Sequence, residues 1–427
     1  MSNTSIRPCG LDAPIPKSWH ISALGDLFSQ RKEKDKTDLP LLAITGGGGV
    51  VLRDSLERRD TSNADKSKYL RVCKGDIAYN TMRMWQGVSG LSNYEGIVSP
   101  AYTICKPKEG VSSFYMAQLF KLPQLVQIFH RNSQGLVDDT LNLKFENLAP
   151  IKVCVPPLPE QQKIAVILSS VDNVIEQTRA QIDKLKNLKT GMMQELLTKG
   201  IGVDGKPHKE FKDSPVGRIP ISWEVCTLGD ITESSAFGPR FSSDFYSESG
   251  NIGCIRTTDM DKNWDIDYST VPLAKLSFPE FESHILEHGD LLITRSGTCG
   301  VVDVFQEQAV PMVAAAFLIR FRLAISVNPW FIRIAMMSTS IQDTIQMLAS
   351  GGVQKNLSGT NLKTLLLPLP SKAEQDEIVY CIRSVSDRIA FAERKKTQLV
   401  SVKKALMQDL LTGKVRVKID NKEPAVA

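Results

Sequence analysis

One half of this chain repeats the other, and the duplication limits its possible folds more than any composition figure does. Ile15-Pro16-Lys17-Ser18-Trp19 recurs as Ile219-Pro220-Ile221-Ser222-Trp223. Leu24-Gly25-Asp26 recurs as Leu228-Gly229-Asp230, and Lys74-Gly75-Asp76-Ile77 as His288-Gly289-Asp290-Leu291. Pro157-Leu158-Pro159-Glu160-Gln161 is answered by Pro368-Leu369-Pro370 with Glu374-Gln375 just after. Met193-Gln194-Glu195-Leu196-Leu197-Thr198 returns as Met407-Gln408-Asp409-Leu410-Leu411-Thr412, and the spacing between copies settles at roughly 214 residues. A period this long, present in two copies, is outside the solenoid range of about 20–50 residues. It reads as two domain-sized units in tandem, within the two or three domains expected of 427 residues.

Each unit has the same plan. Its first part is punctuated by Gly and Pro and holds short apolar runs, with strands expected at 41–45, 76–80, 102–106, 253–257, 290–294 and 316–321. Helical pieces are expected around 114–131 and 329–348, which makes each globule α+β. The second part changes character. From Glu160 to Thr198 there is no proline and a single glycine, Gly191. Ile164, Leu168, Val171, Ile175, Thr178, Ile182 and Leu185 follow one another in steps of four and three, the seam of a heptad repeat. The second copy offers Ile378, Ile382, Val385, Ile389, Ala392, Lys396 and Leu399, with Lys396 interrupting the stripe where Ile182 continues it. Each helix would be roughly 58 Å long. So long a helix with one apolar stripe needs a partner stripe, and two in one chain most simply pair antiparallel. The expected architecture is α+β: two tandem α/β globules separated by two long helices paired as an antiparallel coiled coil, related by a pseudo-twofold repeat. The boundaries expected are a first globule at 1–158, a helix at 159–200, a linker at 201–218, a second globule at 219–368, a helix at 369–413 and a tail at 414–427.

The formal charge of +5 permits a nucleic-acid partner without demanding one. No two of the eight cysteines form a C-x-x-C, and their scatter suits buried thiols in a reducing cytosol. No signal peptide is visible, and the longest apolar stretch, near 310–319, is far short of the ~20 residues that span a bilayer. A cytoplasmic protein is expected.

Catalytic motifs are missing. Gly46-Gly47-Gly48-Gly49 has no following Lys and does not make a phosphate-binding fingerprint, so it reads first as a loop after a strand. Pro156-Pro157 lacks the Asn or Asp and the aromatic residue of an amino-methyltransferase loop. His284 and His288 have helical spacing but no evident third ligand, and no metal site is expected.

Two dissimilar globules, each closed by Pro-Leu-Pro, Glu-Gln and a long helix ending in Leu-Leu-Thr, resemble the specificity subunit of Type I restriction–modification systems. The resemblance is densest at Pro157-Leu158-Pro159-Glu160-Gln161-Gln162-Lys163-Ile164 and at Glu374-Gln375-Asp376-Glu377-Ile378, where Ser371, Lys372 and Ala373 stand between the proline motif and Glu374. Gly75-Asp76-Ile77, Gly289-Asp290-Leu291 and Gly351-Gly352-Val353-Gln354-Lys355-Asn356-Leu357 also resemble the family, the last answered weakly in the first copy by Gln134-Gly135-Leu136. The resemblance implies a non-catalytic subunit binding a bipartite, asymmetric double-stranded DNA target. Its implied partners are two methyltransferase subunits and the restriction and translocase subunits. S-adenosylmethionine, ATP and Mg would belong to those partners, with no cofactor bound here. Half-sites facing one side of B-DNA, about 10.5 bp apart, would leave a gap of roughly 6 bp. A coiled-coil scaffold and a stand-alone DNA-modifying enzyme are the alternatives.

Arg reads guanine and Asn or Gln reads adenine through paired hydrogen bonds. The segments after the two Gly-Asp strands supply Asn80, Arg83 and Gln86, then Thr294, Arg295, Ser296 and Thr298; Arg256 stands after another strand. Trp85 reads as packing, and Gln354 and Lys355 as phosphate contacts or braces.

Overall fold

The computed structural model describes residues 15–56, 65–202, 204–260, 263–349 and 356–419. The chain divides into two compact units, one made of residues up to 180 together with those from 394 onward, the other of 181–393.

The first unit is built on a four-stranded antiparallel sheet in the order Phe28–Gln30, Tyr102–Pro107, Ile77–Asn80, Ser89–Leu91. Alternation along Ile77–Asn80 serves both faces. Ile77 and Tyr79 enter a core with Trp19, Phe28, Phe120 and Phe129, while Ala78 enters a second core with Leu42, Val72 and Ile104. The tetraglycine is the tip of a hairpin joining Leu42–Thr45 to Gly49–Leu52. Where one helix was expected there are two, Ser113–Leu119, capped by Ser112, and Pro123–Asn132, which restarts on a proline.

The second unit repeats this order with Thr232–Phe237, Leu318–Leu323, Leu291–Thr294 and Val302–Val304. Leu291 and Ile293 face one core and Leu292 another. Its helical piece also splits, into Pro329–Met336, capped by Asn328, and Thr339–Leu348.

The repeated motifs are structural devices. The strand after each tryptophan motif pairs with the strand before the hinge: His20–Ala23 with Lys152–Val155, and Glu224–Thr227 with Leu366–Leu369. Leu24 and Leu228 are buried beside this closure. A Cβ on Gly25 would meet Ala149, and one on Gly229 the Lys363 carbonyl, each at 3.0 Å, so a side chain at either position would force its neighbour to shift. Gly75 and Gly289 both turn at φ +93° into the following strand. The carboxylates after them, Asp76 and Asp290, are 2% and 1% exposed. Each accepts a backbone N–H of its own turn, from Cys73 and from Glu287, at 2.8 Å. Each also binds an arginine: Arg31 at 2.7 Å, Arg322 at 2.9 Å. The arginines come from different strands, Arg31 just past the edge strand and Arg322 from the central one.

Gln161 accepts the Ser112 N–H at 2.9 Å and donates to the Pro156 carbonyl at 2.9 Å. Gln375 does the same with Asn328 at 2.8 Å and Pro370 at 2.9 Å. Pro156 is thus the counterpart of Pro370. Ser371, Lys372 and Ala373 replace Pro157, Leu158 and Pro159 rather than being inserted, which corrects the alignment of the two proline motifs.

The long helices are Leu158–Lys199 and Lys372–Leu411, of 42 and 40 residues. Both stop at a left-handed glycine, Gly200 at φ +61° and Gly413 at φ +73°. Each unit holds the start of one helix beside the end of the other, running antiparallel. In the first unit Ile164 and Leu168 share a core with Leu410 and Leu411, and Lys403 meets Asp172 at 2.6 Å. In the second, Ile378 and Ile382 share a core with Leu196, and Lys186 meets Glu393 at 2.8 Å. Of the heptad positions, Ile164, Leu168, Thr178, Ile182, Ile378, Ile382, Val385, Ile389 and Ala392 are buried. Val171, Ile175, Leu185, Lys396 and Leu399 are half-buried.

Three sequence expectations are refined. The linker expected at 201–218 includes part of a hairpin, in which Phe211–Ser214 pairs with Gly217–Pro220. In the tail expected at 414–427, Arg416 holds Glu160 at 2.6 Å and 2.7 Å and Val417 packs on the first core. Cys154 is disulfide-bonded rather than a free thiol.

Candidate nucleic-acid interface

Two backbone hydrogen bonds place the two units in register at one end of the sheet. Leu143 donates to the Thr81 carbonyl at 2.9 Å, and Leu357 to the Arg295 carbonyl at 2.8 Å. Thr81 and Arg295 are therefore equivalent, each following its Gly-Asp strand. Asn142 is the counterpart of Asn356, and this replaces the weaker match to Gln134-Gly135-Leu136. Around these positions converge the end of the edge strand, the start of the central strand and the segment leading to the hinge.

In the first unit the loop after Asn80 is a short 3-10 turn, Met84–Gln86, pinned by buried Met84. Asn80 accepts the Met82 N–H at 3.0 Å and is committed to shaping the turn. Arg83 and Gln86 are exposed. Trp85 is half-buried, donates to the Met82 carbonyl at 3.1 Å and sets its ring edge-on to His130. Beside this loop opens a cleft of about 460 Å³, lined among others by Gln30, Lys32, Thr81, Tyr102, Asn142 and Lys144.

In the second unit the equivalent place carries an arginine on an aromatic ring. Arg295 lays its guanidinium 4.5 Å above the ring of Phe237, which is itself 46% exposed. The aromatic face holds the cation without engaging its N–H donors. Arg31, Arg71, Arg256, Arg322, Arg333 and Arg416 are all paired to carboxylates; Arg295 has no carboxylate partner among the described residues. Arg320, on the neighbouring strand, is buried, and that burial lowers its pKa.

Two expected readers have their polar groups engaged within the protein. Thr294 is 2% exposed, and its hydroxyl donates to the Thr298 carbonyl and accepts the Val301 N–H, bracing the turn. Arg256 is committed to Asp259 at 2.7 Å and to the Thr270 carbonyl at 3.1 Å. Both were expected as readers because they follow strands, but the strand-end side chain faces inward at Thr294 and an acid three residues on captures Arg256. Ser296 is half-buried and bridges Asn356 through the backbone, and Thr298 is exposed. Gln354 and Lys355 lie outside the described residues. Phe237, Lys32 and Lys144 escape a sequence reading, since only the strand register brings them to the Gly-Asp loops. His288 rests against Trp330, and no cluster of three or more potential metal ligands occurs among the described residues. No helix there is long and apolar enough to cross a membrane.

The family model for the type I restriction modification DNA specificity domain matches this chain twice, at 16–187 and 220–401. The putative type I restriction enzyme MjaX specificity subunit of Methanocaldococcus jannaschii is 26% identical over 95% of this chain and 95% of its own length. The EcoKI specificity subunit of Escherichia coli K12 is also 26% identical, over 60% of this chain and 55% of that protein. The crystal structure of the type I restriction–modification S subunit from M. genitalium shares the fold, with a TM-score of 0.56 at 14% identity over 94% of this chain and 97% of that one. With a match in each half, together spanning most of its length, the chain belongs to the type I restriction–modification DNA specificity family and is a specificity subunit.

Proposed function

We propose that this subunit reads a bipartite, asymmetric double-stranded DNA target, one half-site per unit, across an unread gap of roughly 6 bp. The observation that carries the reading is the contrast at the sheet ends. One position in a duplicated fold holds an open, lysine-flanked cleft in the first unit and an arginine on an aromatic ring in the second. Different contact chemistry on a common scaffold suits two different half-sites. The chain acts without catalysis of its own, in the cytoplasm. Two methyltransferase subunits and the restriction and translocase subunits assemble with it and bring S-adenosylmethionine, ATP and Mg. Exposed apolar side chains on the long helices, including Val166, Tyr380 and Phe391, support such docking.

The test is DNA pull-down sequencing with the purified chain and its methyltransferase partner at two salt concentrations. A split motif with one fixed gap is expected. Replacing residues 219–356 with the corresponding globule of another family member should change one half-site only. Salt-sensitive binding without a motif, or a change in both half-sites, rejects modular reading. Absence of binding at either salt leaves a protein scaffold. Cleavage or S-adenosylmethionine binding by the chain alone rejects the non-catalytic role.

Arg295 is the residue best placed to read a base. Arg295→Ala should cost about 1–3 kcal/mol of specific binding, concentrated at one base pair of one half-site. Unchanged discrimination among single-base variants of the target would remove Arg295 from the interface.

A further inference from the structure

We propose that the cleft at the sheet end of the first unit is a phosphate clamp for one strand of the DNA duplex, with Lys32 and Lys144 as its cationic jaws. The inference rests on the DNA-binding reading above and names the ligand chemistry of one site within it. Lys32 stands two residues past Gln30, the last edge-strand residue in register with Tyr102–Pro107. Phe237 occupies the same place in the second unit, opposite Ile319. Where Phe237 carries Arg295 in the second unit, Lys32 lines a cleft in the first.

The cleft's volume of about 460 Å³ suits a small ligand or a segment of one. Its charged lining is Lys32, Lys144 and one carboxylate, Glu146, so the net charge favours an anion. Both lysines are exposed and have no ion-pair partner among the described residues. The neighbouring Arg31, by contrast, is turned away to Asp76. Tyr102 and Gln30 add polar groups with no hydrogen-bond partner among the described residues, and Phe145, Met82 and Pro100 supply apolar walls against which a sugar can lie. Lysine acts on phosphate as a point charge and carries little sequence information. This cleft should therefore set affinity and register, leaving base choice to the adjoining loop with Arg83 and Gln86.

The experiment measures binding of the target duplex by the full chain with its methyltransferase partner, by fluorescence anisotropy from low to moderate salt. Each phosphate contact contributes about 0.9 to the slope of log affinity against log salt. The Lys32→Ala/Lys144→Ala variant should lose about 2 units of slope and bind about 10- to 100-fold more weakly at low salt. Its two half-site motifs should stay unchanged. Lys32→Arg/Lys144→Arg should keep the slope, and Glu146→Gln should strengthen binding a few-fold. Both lysines are on the surface, so an unchanged melting temperature is the folding control. A wild-type slope and affinity in the double-alanine variant overturns the clamp. An altered base preference in either half-site overturns it in favour of base reading. Competition by free ATP as strong as by duplex overturns it in favour of a nucleotide pocket. A wild-type complex that binds no duplex overturns the DNA-binding reading itself.

Discussion

Asp76→Ala should lower the stability of the first unit by about 3 kcal/mol, the low end of what removing one member of a buried ion pair costs. Asp76 is 2% exposed and the Arg31 side chain 10%, so the arginine left behind cannot recover its hydration by rotating into solvent. The same carboxylate also receives the Cys73 N–H, and that turn donor would be orphaned. Glu33, which also touches Arg31 and is half-exposed, keeps the loss from reaching 5 kcal/mol. Urea unfolding followed by fluorescence and circular dichroism measures the change. Replacing both partners, as Asp76→Ala with Arg31→Met, should recover part of the loss, because an apolar pair carries no desolvation debt. Asp290→Ala should cost less, since Arg322 is 26% exposed and Glu287 remains beside it. A midpoint for Asp76→Ala within about 0.5 kcal/mol of wild type would show that the Gly-Asp motif is not the brace described.

Ile389→Asp should cost the second unit a comparable amount, about 3 kcal/mol. Ile389 is buried on the second long helix between Val385 and Ala392, themselves buried. Removing the isoleucine forfeits about 2 kcal/mol of apolar burial, and the carboxylate adds a desolvation penalty between two buried apolar neighbours. Lys396→Ala, two steps along the same stripe but only half-buried, should move stability by less than about 0.5 kcal/mol. Thermal melting of the pair distinguishes them. Equal melting of Ile389→Asp and wild type would mean that this face of the helix carries no packing.

The long helices are legible in sequence because period is a local property. Steps of three and four residues, a proline before and a glycine after need no knowledge of the rest of the chain. The shared landmarks are legible for a related reason: Leu-Gly-Asp, Gly-Asp and Glu-Gln each solve one backbone problem twice, so the chain writes them twice. The interface is not repeated, and its parts are scattered. Gln30, Thr81, Tyr102 and Asn142 meet only after strand register is fixed. A composition of Arg, Asn and Thr after a strand finds Arg295 but also Thr294, whose orientation depends on which face the strand's last residue takes. The hairpin at 211–220 is hidden by strands of four residues without alternation around Pro215 and Gly217. Cutting the chain at the helix ends also treats each helix as one element, whereas the compact units divide each helix between them.

That division sets a timetable for synthesis. The second unit is one continuous stretch, 181–393, whereas the first needs residues on both sides of it. At about 5–20 residues per second, a ribosome takes roughly 10–40 s to pass from residue 180 to residue 394. Throughout that interval Trp19, Glu160, Ile164 and Leu168 have been made but lack Leu410, Leu411 and Arg416, the side chains that complete their core and neutralise their carboxylate. The second unit can close first, while the half made earliest stays an open apolar face, the more exposed of the two to proteases and to nascent neighbours.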